Sequence, residues 1–128
     1  MRKRVAASSR LPPPVGPYSP VVIADRLVFC SGLIPIDPAS GELAGGPFEG
    51  QARRVLENLR LLLEDVGSSL GLVVKTTVFL TNLEDFEALN QVYAQYFTKD
   101  APARSTVQVS RLPKGAALEI EAIALVKE

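Results

Sequence analysis

Histidine is absent from these 128 residues, and cysteine occurs once, as Cys30. The first absence removes the usual neutral-pH general base, and with it the Ser–His–Asp arrangement, the Cys–His pair and histidine-ligated metal centres. The second excludes an intrachain disulfide, and nothing points to an oxidising compartment. Net charge is lacking too. Fourteen Lys and Arg balance fourteen Asp and Glu, so no overall field attracts nucleic acid. No hydrophobic run approaches the roughly 18 residues that span a bilayer. The basic start "RKR" at 2–4 leads into the polar, proline-rich "VAASSRLPPP", not into the apolar core of a signal peptide. The expectation is a cytoplasmic protein with neither membrane nor nucleic acid among its partners. Internal repeats, a phosphate loop and a dinucleotide-type glycine motif are missing as well. Any catalysis must therefore use carboxylates, arginine, lysine, hydroxyls, backbone groups and bound water.

What is present fits one globular domain over 1–128: 47% of residues are hydrophobic and 22% charged, and the chain is long enough to bury most of its apolar surface. "LPPPVGPYSP" (11–20) must run extended. "VVIADRLVFCSG" reads as a hairpin turning at Ala24-Asp25-Arg26, and "DPASGELAGGP" (37–47) as loop. From about Phe48 to Val66 the period changes. Ala52, Val55, Leu56, Leu59, Leu62, Leu63 and Val66 fall on one helical face, and Gly67 is placed to stop it. "LVVKTTVFL" (72–80) is a β-branched strand. Thr81 or Asn82 can cap a second helix running to about Phe97 and burying Leu83, Phe86, Tyr93 and Phe97. Pro102 bars its continuation, and two strands, about 104–110 and 118–126, end the sequence.

The order β-β-α-β-α-β-β predicts an α+β sheet with both helices on one face. In the last strand Leu118, Ile120, Ala122, Ala124 and Val126 share one face, and Glu119, Glu121, Ile123 and Leu125 the other. On the strand before it, Val107 and Val109 oppose Arg104, Thr106 and Gln108. Two helices cannot cover both faces, so Ile123 and Leu125 are left over. A half-apolar face with a few fixed polar groups is what a subunit interface looks like. A homo-oligomer is expected, with Arg104 and Glu119 near the edge of its interface.

The stretches "VGPYSP", "CSGLIP", "VKTTVFLTNLEDFEALNQVYAQYF", "PARSTV" and "LPKGAALEIEAIA", in that order and spanning roughly Pro12 to Val126, resemble the Rid family, the reactive-intermediate imine deaminases also called YjgF-type or liver perchloric-acid-soluble proteins. The resemblance implies a chorismate-mutase-like fold, a mixed sheet with two helices on one face. It also implies a homotrimeric barrel with an active site in each cleft between subunits. It implies hydrolysis of 2-imino acids, such as 2-iminobutanoate and 2-iminopropanoate or their enamine tautomers (released by pyridoxal-phosphate enzymes), to 2-keto acids and ammonia, without cofactor or metal. The arginine of "PARS" corresponds to Arg104, which would hold the substrate carboxylate, and the first glutamate of "EIEA" to Glu119, which would orient the attacking water. Tyr18, Ser31 and Asn90 correspond to further substrate-binding positions. Thr106 stands where many relatives carry cysteine, Leu33 replaces a common glutamine, and Ala101 replaces an aromatic in a shortened segment. These departures bear on substrate size.

Each residue also has a plainer reading. Arg104 could be an interface arginine paired to a carboxylate, although its planar fork of donors suits bidentate carboxylate binding in a way lysine cannot imitate. Glu119 could be a solvated strand residue, and Glu121 is nearer to that description. Asn90 could bond loop backbone, Tyr18 could pin the proline segment, and Ser31 could cap a turn. Cys30, between Phe29 and Ser31, reads as a small core residue, and Tyr93 and Phe97 as core. At the level of function the alternative is a regulatory, chaperone or translation-inhibitor and ribonuclease-type member of the same family.

Overall fold

The computed structural model describes residues 2–128. Its eight regular elements are β1 (Lys3–Ala6), β2 (Val21–Ala24), β3 (Leu27–Leu33), α1 (Phe48–Asp65), β4 (Val73–Leu80), α2 (Phe86–Tyr96), β5 (Ala103–Gln108) and β6 (Leu118–Leu125). The strands form one six-stranded sheet in the order β1-β2-β3-β6-β4-β5. β4 and β5 pair in parallel and every other pair is antiparallel, so the sheet is mixed. A parallel neighbour needs a crossover, and α2 supplies it. Strand β1 was not expected from sequence. Four residues carrying Lys3 and Arg4 give no alternating apolar signal, and the segment becomes a strand by pairing with β2 at the sheet edge.

The core lies between the helices and one sheet face. Ala52, Val55, Leu56, Leu59, Leu62 and Leu63 of α1 are all buried, packed with Val21, Ile23 and Val28 and with Leu118, Ile120, Ala122 and Ala124 of β6. Gly67, in the left-handed region at φ 87°, ends α1 as the sequence suggested. Asn82 is the cap chosen over Thr81. Its Oδ1 accepts the Glu84 N–H at 2.9 Å and opens the short 3₁₀ turn Leu83–Asp85 ahead of α2. The β2–β3 hairpin turns through Asp25 at φ 52°, a conformation aspartate tolerates because its short side chain can bond locally.

One expectation about α2 needs correcting. Leu83 and Phe86 are 45% and 39% exposed, whereas Leu89, Val92 and Tyr93 are the buried residues of the helix. The N-terminal end of α2 reaches β5, the edge strand, beyond which no further element closes over it.

The opposite sheet face is uncovered. Leu27, Phe29, Val107 and Leu125 are exposed there, and Ile123 is half-buried. They lie in cross-strand register, Leu27 beside Leu125 and Phe29 beside Ile123. No helix among the described residues is long and apolar enough to cross a membrane. The burial difference along the helices is measurable. Leu59→Ala in the middle of α1 should cost about 2–5 kcal/mol in denaturant unfolding, while Leu83→Ala should stay within about 0.5 kcal/mol.

Candidate functional site

The candidate residues fall into two groups on opposite faces of the sheet. The first gathers around β5 and α2, on the helix-covered face. Arg104 pairs in register with Thr76, whose hydroxyl is buried and 2.7 Å from the Tyr93 hydroxyl of α2. The guanidinium of Arg104 donates through Nη2 to Asn90 Oδ1 at 2.8 Å. Its carbon lies 4.8 Å from the centre of the Tyr93 ring and 5.5 Å from that of Phe86. Aromatic faces attract a cation through their quadrupole, so the group is held in place without an anion. Indeed no carboxylate lies within ion-pair distance of Arg104 among the described residues. Two residues along, on the same face of β5, Thr106 has the one buried side-chain oxygen without a hydrogen-bond partner among the described residues. Buried hydroxyls are normally satisfied. A cation without a carboxylate partner, beside an unpaired hydroxyl, is an arrangement that suits an oxygen-rich ligand. Asn90 thus positions Arg104 and does not brace a loop, and Tyr93 is both core and platform, a double use that helical spacing could not reveal.

The second group lies where β3 meets β6. Cys30 pairs with Ala122 and Leu33 with Ile120, so Ser31 and Gly32 together oppose Glu121 as a β-bulge. Bulges re-aim side chains and often border functional sites. Ser31 donates its hydroxyl to the Ser19 carbonyl at 2.7 Å and its N–H to the Pro20 carbonyl at 2.9 Å, tying the bulge to the proline segment. Gly32 leaves room for the Glu119 carboxylate: a Cβ there would sit 2.5 Å from Glu119 Oε2 and would displace the end of that side chain. The glutamate carboxylate lies over the space a side chain at 32 would enter, and sequence reasoning did not single this glycine out. Tyr18, Ser31 and Gly32 line a cleft of about 140 Å³, walled by Leu11 and Pro12–Pro14.

Glu119 is half-buried, and burial, followed by repulsion from Glu121, holds its carboxyl above the usual glutamate range. Glu121 is exposed. Cys30 is 6% exposed, and burial pushes its thiol up to about 12; it stays protonated at neutral pH and belongs to the core.

One chain does not bring Arg104 and Glu119 together. Glu119 pairs with Phe79, three residues from Thr76 on β4, and an odd offset along a strand reverses the face. Glu119 accordingly belongs to the uncovered face and Arg104 to the covered one, with β4 between their strands.

The Endoribonuclease L-PSP family model matches residues 8–126. The chain is 47% identical to a RutC family protein of Pyrococcus abyssi over 97% of this chain and 98% of that one. It is 42% identical to the human 2-iminobutanoate/2-iminopropanoate deaminase over 96% and 90%. Among solved structures, the Rid-family protein YyfA of Yersinia pestis superposes with a TM-score of 0.92 at 43% identity, covering 98% of this chain and 100% of that chain.

The elevated carboxyl of Glu119 has a consequence for stability. A raised folded-state value means that the folded protein holds this proton where the unfolded chain has released it, so stability falls as pH rises through the folded value. Glu119→Gln removes the penalty. Thermal unfolding at neutral pH should give the variant the higher Tm, with the gap closing once the medium is acidic enough to protonate Glu119 in the unfolded wild type.

Proposed function

The chain belongs to the Endoribonuclease L-PSP family, the YjgF-type or Rid family, and on that premise we propose that it is a 2-imino acid deaminase working as a homotrimer. The proposed assembly is the chorismate-mutase-like barrel in which the uncovered sheet faces of three chains close on one another. Leu27, Phe29, Val107, Ile123 and Leu125 become buried in it. Each cleft takes Arg104, Thr106 and Asn90 from one chain and Tyr18, Ser31 and Glu119 from its neighbour.

The observation that carries this reading is the guanidinium of Arg104, oriented by Asn90 and two aromatic rings and paired with no carboxylate among the described residues. In the proposed reaction it receives the substrate carboxylate through two parallel N–H···O bonds, while the Thr106 hydroxyl meets a substrate oxygen or nitrogen. Water held by the Glu119 carboxylate attacks the imine carbon. A C–O bond forms, the C=N π pair moves to nitrogen, and the water's proton passes through Glu119 to that nitrogen. The carbinolamine then collapses: its hydroxyl proton passes through Glu119 to the nitrogen, an oxygen lone pair forms the C=O bond as the C–N bond breaks, ammonia leaves with that bonding pair, and a 2-keto acid remains. Much of the acceleration is positional, because water and electrophile are held at near-attack distance. Burial raises the Glu119 carboxyl above the usual glutamate range, which makes its carboxylate a stronger base towards the water than an ordinary glutamate. The expected small-molecule partners are 2-imino and 2-keto acids, with no cofactor in the chemistry. A ribonuclease-type role draws on the family's description and a regulatory one on the name of a relative, "Putative regulator AldR" of Lactococcus lactis; a chain with no histidine and net charge +0 lacks the usual groups for RNA cleavage and RNA attraction.

Two measurements test the reading. Sedimentation should give a particle near 41 kDa, three times the 13.8 kDa chain; a monodisperse monomer at micromolar concentration would overturn the shared cleft. With imines generated in situ by an amino-acid oxidase, Arg104→Ala should lower kcat/KM at least about a hundredfold, since two charge-assisted bonds of roughly 1.5–3 kcal/mol each are lost. Arg104→Lys should recover little, because an ammonium cannot engage both oxygens in plane. An intact trimer with near-normal turnover in Arg104→Lys would reject the carboxylate-anchor role.

A further inference from the structure

The proline segment is a stiff wall shared by two cavities. Leu11 and Pro12–Pro14 line the 140 Å³ cleft beside Tyr18, Ser31 and Gly32. The same four residues also line an adjoining cavity of about 300 Å³, together with Leu33 and Leu62. Three consecutive prolines lack N–H groups and favour a rigid extended rod. No hydrogen bond joins 12–15 to the sheet among the described residues. The rod is held at its ends. Its C-terminal anchor is Ser31, through the Ser19 and Pro20 carbonyls. Its N-terminal anchor is Asp65, which accepts from the Ser8 hydroxyl and takes two bonds from Arg10, one of them from Nε at 2.9 Å. Arg10 N–H in turn donates to Ser8 Oγ at 3.1 Å, so the three side chains form one closed clamp.

Asp65 is also the last residue of α1. An acidic group at a helix C-terminus is electrostatically misplaced, so α1 gains nothing from its charge, and the clamp is what the carboxylate serves. We propose that Asp65 is a positioning residue for the substrate cleft. By holding Ser8 and Arg10 it fixes the lateral position of the proline wall, and thereby the size of apolar side chain that the substrate can carry. This rests on the imine-deaminase reading and adds to it that the side chain of the imino acid lies in the cleft against Leu11 and the prolines, beside Tyr18 and Ser31. The adjoining cavity gives a released wall room to shift, so loss of the clamp widens the cleft.

The test compares imines released by an amino-acid oxidase from alanine and from leucine. Asp65→Asn should raise the leucine-to-alanine ratio of kcat/KM about tenfold, the order of effect that a methylene or two has in an apolar pocket. The change should appear in KM, with kcat nearly unaltered, and Asp65→Glu, which can still hold Arg10, should return the ratio towards wild type. An unchanged ratio, or equal losses on both substrates, would overturn the proposal. Hydrogen exchange over residues 8–19 supplies a readout independent of turnover, and it should quicken in Asp65→Asn while the core of β4 keeps its protection. If the wild-type protein hydrolysed neither imine, the functional reading would fall by itself; unchanged exchange in Asp65→Asn would overturn the clamp whatever the activity.

Discussion

A sheet has two faces, and two helices on the same side of it leave the other bare. That constraint organises the rest of this molecule. It puts the aliphatic core between α1, α2 and the inward residues of β2, β3, β4 and β6, and it leaves Leu27, Phe29, Val107 and Leu125 in water. Burial of apolar surface contributes on the order of 25 cal/mol per Å², so a contiguous bare face of this kind favours association with a like face. The same constraint separates the two charged groups proposed for catalysis. Arg104 lies under α2, and Glu119 points away from both helices. Only a neighbouring chain can place them in one cleft, which makes assembly a condition of the proposed chemistry.

Both groups are kept in surroundings that a purely structural residue would avoid. The cation of Arg104 is half-buried against Tyr93 and Phe86 with a single neutral acceptor, Asn90. Glu119 lies folded over Gly32, partly stripped of water and near another carboxylate. Thr106 keeps a buried hydroxyl unpaired. Each costs folding free energy, and local costs of this type collect where a site is prepared for a ligand.

The sequence announced some of this clearly. The stripe Ala52 to Leu63, the stop at Gly67 and the alternation Leu118–Leu125 fixed the element types, because helical and strand periods differ and both segments are long enough to display them. It was silent where tertiary pairing decides. Strand β1 exists because β2 offers an edge. Leu83 and Phe86 look like core on a helical wheel and are left exposed because α2 overhangs the sheet's last strand. Arg104 and Glu119 were placed correctly within their own strands, but the relation between faces depends on the register of β5 and β6 with β4, which alternation inside one strand does not encode. Gly32 and Asp65 gave no pattern at all. The significance of one lies in the position of Glu119, 87 residues later, and the role of the other is the path of a segment 55 residues earlier.

The account's central claim is that one cleft is built by two chains, and subunit mixing tests it most directly. Arg104→Ala and Glu119→Gln proteins, each inactive alone, would be unfolded together, refolded as a mixture and assayed for imine hydrolysis. If each cleft draws Arg104 from one chain and Glu119 from its neighbour, some clefts in mixed oligomers carry both native residues, and activity returns. If every site lay within a single chain, no cleft in any mixture could be whole, and a mixture that forms mixed oligomers yet remains as inactive as its components would contradict the account.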